Sequence, residues 1–228
     1  MRKALVLLLT LMLLTSVASA ATINVGPKEK YKTIQKAVNA AHNGDTIYVY
    51  AGTYKEIINI NGKDLTFQGA KVKGKYQYPT VYGFEFTFDS NAYNPGSGDI
   101  NGFKITKSGI IYDLAGNNIV RNNYFYNCGV SAGGQSCSAN TIMNNKFTGN
   151  YNYDGVYLDE NYDNVVKGNT FTKARNGLVL RQGATCTTIT SNTFNQCKVG
   201  VLSGYLPKIL LGNSYKGNKI NVKITDGF

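Results

Sequence analysis

The sequence predicts an all-β solenoid, in which short strands wind into about eight or nine stacked coils behind a capping helix. Three observations predict it. First, a phrase with Asn two residues before an aromatic returns every 21 to 24 residues. Second, a phrase of Gly with alternating apolar residues follows most copies of the first. Third, an amphipathic segment precedes the first coil. Such a period is typical of repeat proteins in which each unit forms one coil.

The first phrase reads VRNNYF, IMNNKF, VKGNTF, ITSNTF and LLGNSY from residue 120 onward, with a weaker copy, INGFKI, at 100–105. Coils stacked at the strand spacing of about 4.8 Å would place its asparagines above one another. Each side-chain amide would then bond the amides above and below it. The predicted asparagine ladder consists of Asn123, Asn145, Asn169, Asn192 and Asn213.

The second phrase reads GIIYD at 109, GVSAG at 129, GVYLD at 155, GLVLR at 177 and GVLSG at 200. Apolar residues that alternate with period two predict strands with one buried and one outward face. The charged residues mark the outward face. Four residues after each glycine, the predicted outward column contains Asp113, Gly133, Asp159, Arg181 and Gly204.

The segment ahead of the first coil carries Ile34, Ala37, Val38 and Ala41 at helical spacing. This spacing predicts an amphipathic helix over about residues 31–42. A helix there would cover the open end of the solenoid, where unpaired backbone groups invite edge-to-edge association.

The first twenty residues have the features of an export signal. Arg2 and Lys3 precede an apolar run, and small residues Ala18 and Ala20 follow it. The run is shorter than the roughly 20 residues that span a bilayer. We therefore predict a cleaved signal at 1–20, a single β domain at 21–228 with no membrane span in the mature chain, and a secreted, periplasmic or cell-surface location.

The charge balance indicates the kind of partner. The chain has 24 Lys and Arg against 13 Asp and Glu, which gives a net charge of +11. A basic protein outside the cytoplasm is expected to associate with acidic polymers, so the predicted partner is an acidic polysaccharide or a cell-envelope polymer. The chain contains no nucleic-acid-binding motif, and nucleic acid is not an expected partner.

The chain resembles the right-handed parallel β-helix family, which includes NosD-like and pectin-lyase-like repeat proteins. The phrases TIQKAVNAA and GDTIYVYAGTY and the two repeated phrases carry this resemblance over most of residues 31–224. It implies a single-stranded right-handed parallel β-helix. Residues 31–56 also resemble the first coil of pectin methylesterases. That family's catalytic Gln-Asp-Thr, Asp-Phe-Ile-Phe-Gly and Gly-Arg-Pro-Trp phrases are absent, so none of its catalytic residues is carried over.

The acidic stretch NYDGVYLDENYD, residues 152–163, allows three interpretations. Asp159 and Arg181 lie on adjacent coils, where a salt bridge is expected. Asp113 lies two coils, or about 10 Å, from Asp159, and their carboxyls could approach the separation of about 6.5–9.5 Å used by inverting glycosidases. If the protein is an enzyme, Asp113, Asp159 and Arg181 are the catalytic candidates. The weakest interpretation is a calcium site, formed by Asp154, Asp159, Glu160 and Asp163.

Two groups of residues are candidates for glycan binding. Lys71, Lys73 and Lys75 alternate in AKVKGKYQY, which predicts one face of a strand, either a solvated edge or a strip that binds an acidic polymer. The tyrosines near the outward column are expected to stack on sugar rings. They are Tyr124, Tyr153 and Tyr157.

Histidine, methionine and cysteine usage bears on metals and disulfides. After the export signal the chain has one His, His42, and one Met, Met143, which we expect in the interior. This scarcity predicts no transition-metal site. Cys128 and Cys197 share a column three coils, or about 14 Å, apart, which is too far for a disulfide. Local pairing of Cys128 with Cys137 and of Cys186 with Cys197 remains open, as do free buried thiols.

Two functions of different classes fit the sequence. The favoured one is a non-catalytic exported β-helix that binds acidic extracellular or envelope polysaccharide. The alternative is a small polysaccharide lyase or glycoside hydrolase of the pectin-lyase-like fold. The short chain, the lack of long groove-building loops and the sparse acids on adjacent coils favour binding. A structural block of a fibre or envelope is a third class, close to the first.

Overall fold

The structure is a computed structural model, and it describes residues 19–87, 96–134, 137–181, 183–205 and 209–225. Within these residues the chain forms a right-handed parallel β-helix of about eight turns with a single short helix near its start. The predicted fold class is confirmed. The predicted export signal, residues 1–20, lies almost wholly outside the described residues.

The first face of the β-helix is a nine-stranded parallel sheet. The middle residue of each short strand points inward, and Val120, Ile142 and Val166 stack in register and are buried. The strands of this face are β1 (Thr22–Val25), β2 (Thr46–Val49), β4 (Asp64–Gly69), β8 (Ser97–Asn101), β10 (Ile119–Arg121), β13 (Thr141–Met143), β16 (Val165–Lys167), β19 (Thr188–Thr190) and β22 (Ile209–Leu211).

The other two faces belong to one thirteen-stranded sheet. Three long strands, β3 (Thr53–Asn61), β7 (Thr80–Thr87) and β9 (Lys104–Asp113), extend across both faces. In later turns each long strand is replaced by two. The short-strand face contains β11 (Tyr124–Tyr126), β14 (Lys146–Thr148), β17 (Thr170–Thr172), β20 (Thr193–Asn195) and β23 (Ser214–Lys216). The glycine face contains β12 (Val130–Gly133), β15 (Asp154–Asp159), β18 (Asn176–Leu180), β21 (Val199–Ser203) and β24 (Ile220–Ile224).

A column of aromatic rings fills the interior behind the short-strand face. Adjacent ring centroids are 4.5, 4.8, 5.0 and 5.3 Å apart, and the planes of adjacent rings differ by at most 13°. Each ring lies on the equivalent ring of the next coil, so the same residue type recurs once per turn. The column consists of Phe125, Phe147, Phe171, Phe194 and Tyr215.

Asparagine side chains connect the coils at the bend between the first face and the short-strand face. The Nδ2 of Asn145 donates to Asn169 Oδ1 at 3.1 Å and to Val120 O at 2.8 Å, and its backbone N donates to the same Oδ1 at 2.9 Å. Equivalent bonds run from Asn123 to Asn213. The residue before each ladder member has positive φ, as in Asn144 at 56°, which Asn tolerates.

A second, shorter ladder lies at the bend that leads back to the first face. Asn118 Nδ2 donates to Asn140 Oδ1 at 2.9 Å, and Asn140 Nδ2 donates to Asn164 Oδ1 at 3.1 Å. Thr187 is buried one coil further on and bonds Ala184 O instead. Because this pattern has only three asparagines and then changes residue type, the repeat did not reveal it.

The predicted capping helix is present as α1 (Ile34–Ala40), with Ile34, Ala37 and Val38 buried. The carboxylate of Glu56 accepts hydrogen bonds from the backbone N of Ile34 and of the next residue, both at 3.1 Å, which suits the positive end of a helix. Lys63 Nζ donates to carbonyls at the other end, 2.8 Å from Val38 O. Among the described residues, no helix is long and apolar enough to cross a membrane.

Candidate functional site

The outward column on the glycine face contains the three residues that the sequence suggests for catalysis. Asp113 pairs in register with Gly133, and Gly133 pairs with Asp159. Arg181 follows one coil later, because its backbone N donates to Leu158 O at 2.8 Å. Asp113 and Asp159 are therefore two coils apart, about 10 Å between backbones.

Tyr157 joins Asp159 and Arg181 in one polar group. Arg181 Nη1 donates to the Tyr157 hydroxyl at 3.0 Å, and that hydroxyl donates to Asp159 Oδ2 at 3.3 Å. The direct distance from Arg181 Nη1 to Asp159 Oδ2 is 3.7 Å. The bond to Tyr157 and the nearby carboxylate raise the pKa of Arg181. The group combines a salt bridge with a phenol held by a guanidinium.

A cleft of about 330 Å³ lies beside this group. Tyr157 forms part of its wall, together with Ile111 and Ser131 from the two preceding coils. Asp154 also reaches the cleft. A polar and an aromatic side chain therefore line a depression large enough for part of a sugar chain.

Two of the four acids of residues 152–163 pair with arginines. Arg175 binds Asp154 through Nε at 3.0 Å and Nη2 at 2.5 Å, and Asn176 Nδ2 donates to the same carboxylate at 2.8 Å. Asp159 interacts with Arg181. Within the described ranges, no three His, Cys, Asp or Glu side chains come together as a metal site would require.

The three lysines at residues 71–75 do not share one strand face, which corrects the sequence prediction. β5 (Lys71–Val72) and β6 (Lys75–Tyr76) form an antiparallel hairpin, with Lys71 paired to Tyr76 and Val72 to Lys75. Lys73 and Gly74 form its turn at φ of 48° and 76°. Two-residue hairpin loops favour such positive φ values, and Gly supplies one at no steric cost. Lys71 and Lys75 consequently project from opposite faces of the hairpin.

Tyr153 is not available to stack on a sugar, which corrects a second expectation. Its side chain is only 4% exposed, and its hydroxyl donates to Thr172 O at 2.9 Å. Burial raises its pKa well above the ordinary value for tyrosine. The other two tyrosine candidates, Tyr124 and Tyr157, point outward and are half-buried.

The structure places Tyr124 between two lysines on the short-strand face. Lys104, Tyr124 and Lys146 occupy one column on three successive coils. Lys146 Nζ lies 5.3 Å from the centroid of the Tyr124 ring, and Tyr126, two residues further along the strand, is 50% exposed. We call these four residues the tyrosine–lysine strip. Sequence reasoning found only Tyr124, although Lys104 and Lys146 also lie directly before the residue in the aromatic slot.

A second column of cations follows at the bend between the short-strand and glycine faces. Lys198 N donates to Ala174 O at 3.0 Å, and Lys219 N donates to Cys197 O at 3.1 Å, so Arg175, Lys198 and Lys219 occupy equivalent positions on successive coils. All three side chains are exposed. We call these three residues the cation ladder. Sequence reasoning missed it because the column lies outside both repeated phrases.

The four cysteines are free thiols. Cys128, Cys137 and Cys197 are buried, and Cys186 is exposed. Burial raises the pKa of Cys128 and of Cys137 to about 12, which keeps both protonated at neutral pH. The Sγ of Cys137 donates to Ala115 O at 2.9 Å. The buried thiols behave as small interior side chains.

The stacked coils and the outward columns define a parallel β-helix protein with a polar, partly basic outer surface. A family profile described as NosD, periplasmic copper-binding protein, matches residues 38–227. The match extends over most of the chain, which therefore belongs to the NosD family.

Two further comparisons add little. No curated protein sequence matches the chain. Among solved structures, an alginate lyase from Paenibacillus sp. str. FPU-7 is similar, with 15% identity, a TM-score of 0.46, and coverage of 90% of this chain and 98% of the lyase chain. At that distance the likeness carries no argument about activity.

Proposed function

We propose that this protein is an exported, non-catalytic member of the NosD family that binds acidic extracellular or cell-envelope polysaccharide. The tyrosine–lysine strip carries the proposal. The aromatic faces of Tyr124 and Tyr126 offer flat apolar surface for a sugar ring, while Lys104 and Lys146 offer positive charge for its carboxylates. Lys107 Nζ, 3.9 Å from the Tyr82 ring centroid, extends the same chemistry.

Two independent indications support a periplasmic or cell-surface location. The family description places its members in the periplasm, and the sequence begins with an expected export signal at 1–20. A periplasmic or cell-surface protein meets envelope and extracellular polymers directly. We therefore assign an envelope or extracellular polymer to the strip.

The copper in the family description does not fit the side chains of this chain. His42 has a 91% exposed side chain, and its Nδ1 lies 3.9 Å from Asp45 Oδ2. The buried thiols bond backbone carbonyls at separate places, Cys128 with Ile105 O at 3.4 Å and Cys137 with Ala115 O at 2.9 Å. Met143, which the sequence predicts in the interior, is the last residue of β13 and is only half-buried. Copper sites draw on converging imidazole, thiolate or thioether ligands, and these donors are dispersed.

A small polysaccharide lyase or glycoside hydrolase is the second candidate, and the Tyr157 group favours it. A lyase removes a proton next to a uronate carboxylate and needs a cation to stabilise the developing charge. Tyr157 and Arg181 place a phenol and a guanidinium 3.0 Å apart beside the cleft. In a hydrolase, Asp113 and Asp159 would supply the two carboxyls.

The test titrates the mature protein with polygalacturonate and with its fully methyl-esterified form, which keeps the sugar chain and removes the charge. We expect binding to the acid form only, weakening with salt as the Debye length falls to about 8 Å. Lys104→Gln with Lys146→Gln should lower the affinity about tenfold or more, since each lysine near an anionic surface contributes about 1 kcal/mol.

The matched control is Lys167→Gln with Lys223→Gln, which removes two exposed lysines from the first and glycine faces. This control should change affinity less than twofold. Equal losses in both double variants would contradict binding at the strip. If the parent protein releases unsaturated or reducing ends from the polymer, it is an enzyme and the non-catalytic function is wrong.

A further inference from the structure

The last coils of the protein carry one sign of charge. No Asp or Glu occurs between Asp163 and Asp226, and this segment contains nine Lys or Arg residues. Of these, Lys173, Arg175, Lys198, Lys216 and Lys219 lie on the short-strand face or at its bend with the glycine face. The strongest excess of positive charge is therefore on the side that also carries the tyrosine–lysine strip.

The cation ladder concentrates this charge in a regular geometry. Its members lie one per coil, about 4.8 Å apart at the backbone. Like charges directly opposite each other on neighbouring strands destabilise a sheet. Among the described residues, neither Lys198 nor Lys219 forms an ion pair with an acid, whereas Arg175 is held by Asp154 from the preceding coil. Both lysine side chains are exposed, so their charges are accessible from solvent.

A groove of about 350 Å³ lies against the ladder. Lys198 and Lys219 line it, together with Tyr151 and Gln196. Lys198 Nζ is 5.9 Å from the centroid of the Tyr151 ring. The groove thus combines two cations, an amide and an aromatic ring, which are groups that bind the carboxylates, hydroxyls and ring faces of an acidic sugar.

We infer that the cation ladder binds a linear polysaccharide with a carboxylate on every sugar, lying parallel to the axis of the β-helix. The inference rests on the proposed function and specifies its ligand. Successive sugars of an extended uronic acid homopolymer are rotated about the chain axis, so their carboxylates point to different sides, but the chain carries twice as many of them as a polymer with a carboxylate on every second sugar. The homopolymer therefore places carboxylates against both Lys198 and Lys219 more readily than the alternating polymer does.

The ladder and the strip are separate surfaces. Thr170 shares the column of Lys146, and Arg175 lies five residues further around the same coil, so a chain parallel to the axis at the ladder does not run along the strip. Asp154 lies where the ladder begins, and its carboxylate is occupied by Arg175 and Asn176. The Arg175–Asp154 pair is close to neutral, so it neither repels nor strongly attracts the chain, and Lys198 and Lys219 are the two rungs that bind carboxylates.

The experiment compares two ligands of equal sugar number on three forms of the mature protein. The ligands are octamers of galacturonate, with a carboxylate on every sugar, and of hyaluronan, with one on alternate sugars. The forms are the parent, Lys198→Gln with Lys219→Gln, and the control Lys167→Gln with Lys223→Gln. Affinity is measured by calorimetry at two salt concentrations, and circular dichroism checks that each form is folded.

We expect the parent to bind the galacturonate octamer at least about tenfold more tightly than the hyaluronan octamer. The ladder variant should lose at least about tenfold for galacturonate and about threefold or less for hyaluronan, with a weaker salt dependence. The control variant should resemble the parent. Equal affinity of the parent for both octamers, or equal behaviour of the two double variants, would overturn the ladder assignment.

Further outcomes separate this inference from the proposed function. If Lys104→Gln with Lys146→Gln weakens binding but the ladder variant does not, the strip binds polymer and the ladder assignment fails alone. If the parent binds no acidic polysaccharide, both fail. A single-stranded oligonucleotide of equal charge that binds as tightly, and is lost in the same ladder variant, would overturn the specificity for carboxylates.

Discussion

The coils before and after residue 118 solve the same packing problem in different ways. Behind the later coils, rings of one column stack face to face, with planes within 13° of each other. In the earlier coils, Phe67 meets Phe84 and Phe86 at 65° and 90°, and Phe84 meets Phe103 at 84°. The earlier interior is filled by rings from different columns, so no residue type has to recur once per turn.

The polar contacts differ in the same way. The later coils are connected by repeated asparagines, whereas the earlier coils rely on individual contacts such as Glu56 at the start of α1 and Lys63 at its end. Charge does not divide at residue 118, because four acids lie at 154–163 in the later coils, but no Asp or Glu lies between Asp163 and Asp226. A strict repeat therefore fixes the interior and leaves the outward positions free to vary in charge.

The largest effect is expected in the asparagine ladder. Asn169→Leu removes the acceptor of Asn145 N and Nδ2, at 2.9 and 3.1 Å, and the donor to Ile142 O at 2.8 Å. Each buried group left without a partner costs about 1–3 kcal/mol. Thermal and urea unfolding should show a loss of at least that size. Unchanged unfolding of Asn169→Leu would contradict a ladder that stabilises the later coils.

Asn213→Leu is the matched control at the end of the same ladder. Asn213 accepts from Asn192 N at 2.9 Å and from Asn192 Nδ2 at 3.0 Å, but it is only half-buried. Water can replace part of what is lost there, so its effect should be clearly smaller. An equal loss in both variants would indicate a general cost of leucine rather than loss of a buried partner.

The later coils were predictable because their period is visible directly in the amino-acid sequence. Asn-x-Phe determines which residues stack, and the predicted ladder members are those that bond one another. The hairpin at residues 71–76 was not predictable from alternation alone. Its Lys73-Gly74 turn reverses the chain, and alternating lysines then mark two strands instead of one. The Lys73-Gly74 pair was the sequence signal that could have predicted the hairpin turn.

The candidate site was predictable only in part, for a related reason. Asp159 and Arg181 share a position in the repeated phrase, so their proximity follows from alignment. Tyr153 precedes that phrase by two residues, in a coil whose bend is four residues longer than that of the preceding coil and two longer than that of the next. The repeat therefore does not specify the direction of its side chain. Its ring turned inward. Residues at bends have to be located by structure, because the bends vary in length between coils.

A smaller, pH-dependent effect is expected in the earlier coils from Asp45. Its carboxylate accepts hydrogen bonds from His42 N at 2.8 Å and Ala21 N at 2.7 Å, and these bonds lower its pKa. Because the pKa of Asp45 is lower in the folded state, its ionised carboxylate stabilises the fold at pH values above the ordinary pKa of 3.8. This contribution is lost as the pH falls through the folded-state pKa.

Asp45→Asn should therefore cost about 1 kcal/mol at neutral pH. The difference in stability between parent and variant should shrink as the pH falls below the ordinary pKa of an aspartate. Urea unfolding at pH 7 and at acid pH measures this difference. A difference that stays constant with pH would show that the Asp45 charge does not hold the first coils together.

The smallest effect on stability is expected at Asp159, and the same residue separates the two candidate functions. Its pairing with Arg181 at 3.7 Å involves side chains that are 28% and 40% exposed. Exposed pairs typically contribute about 0–1 kcal/mol. Asp159→Asn should shift unfolding only slightly and leave polysaccharide binding at the strip intact, because Asp159 lies on the glycine face. Asp113→Asn, on the same column, should behave alike.

If the parent cleaves an acidic polysaccharide and both variants lose that cleavage while remaining folded, the carboxylates act as acid and base. The protein would then be an enzyme, and its glycine face rather than its short-strand face would be the primary site.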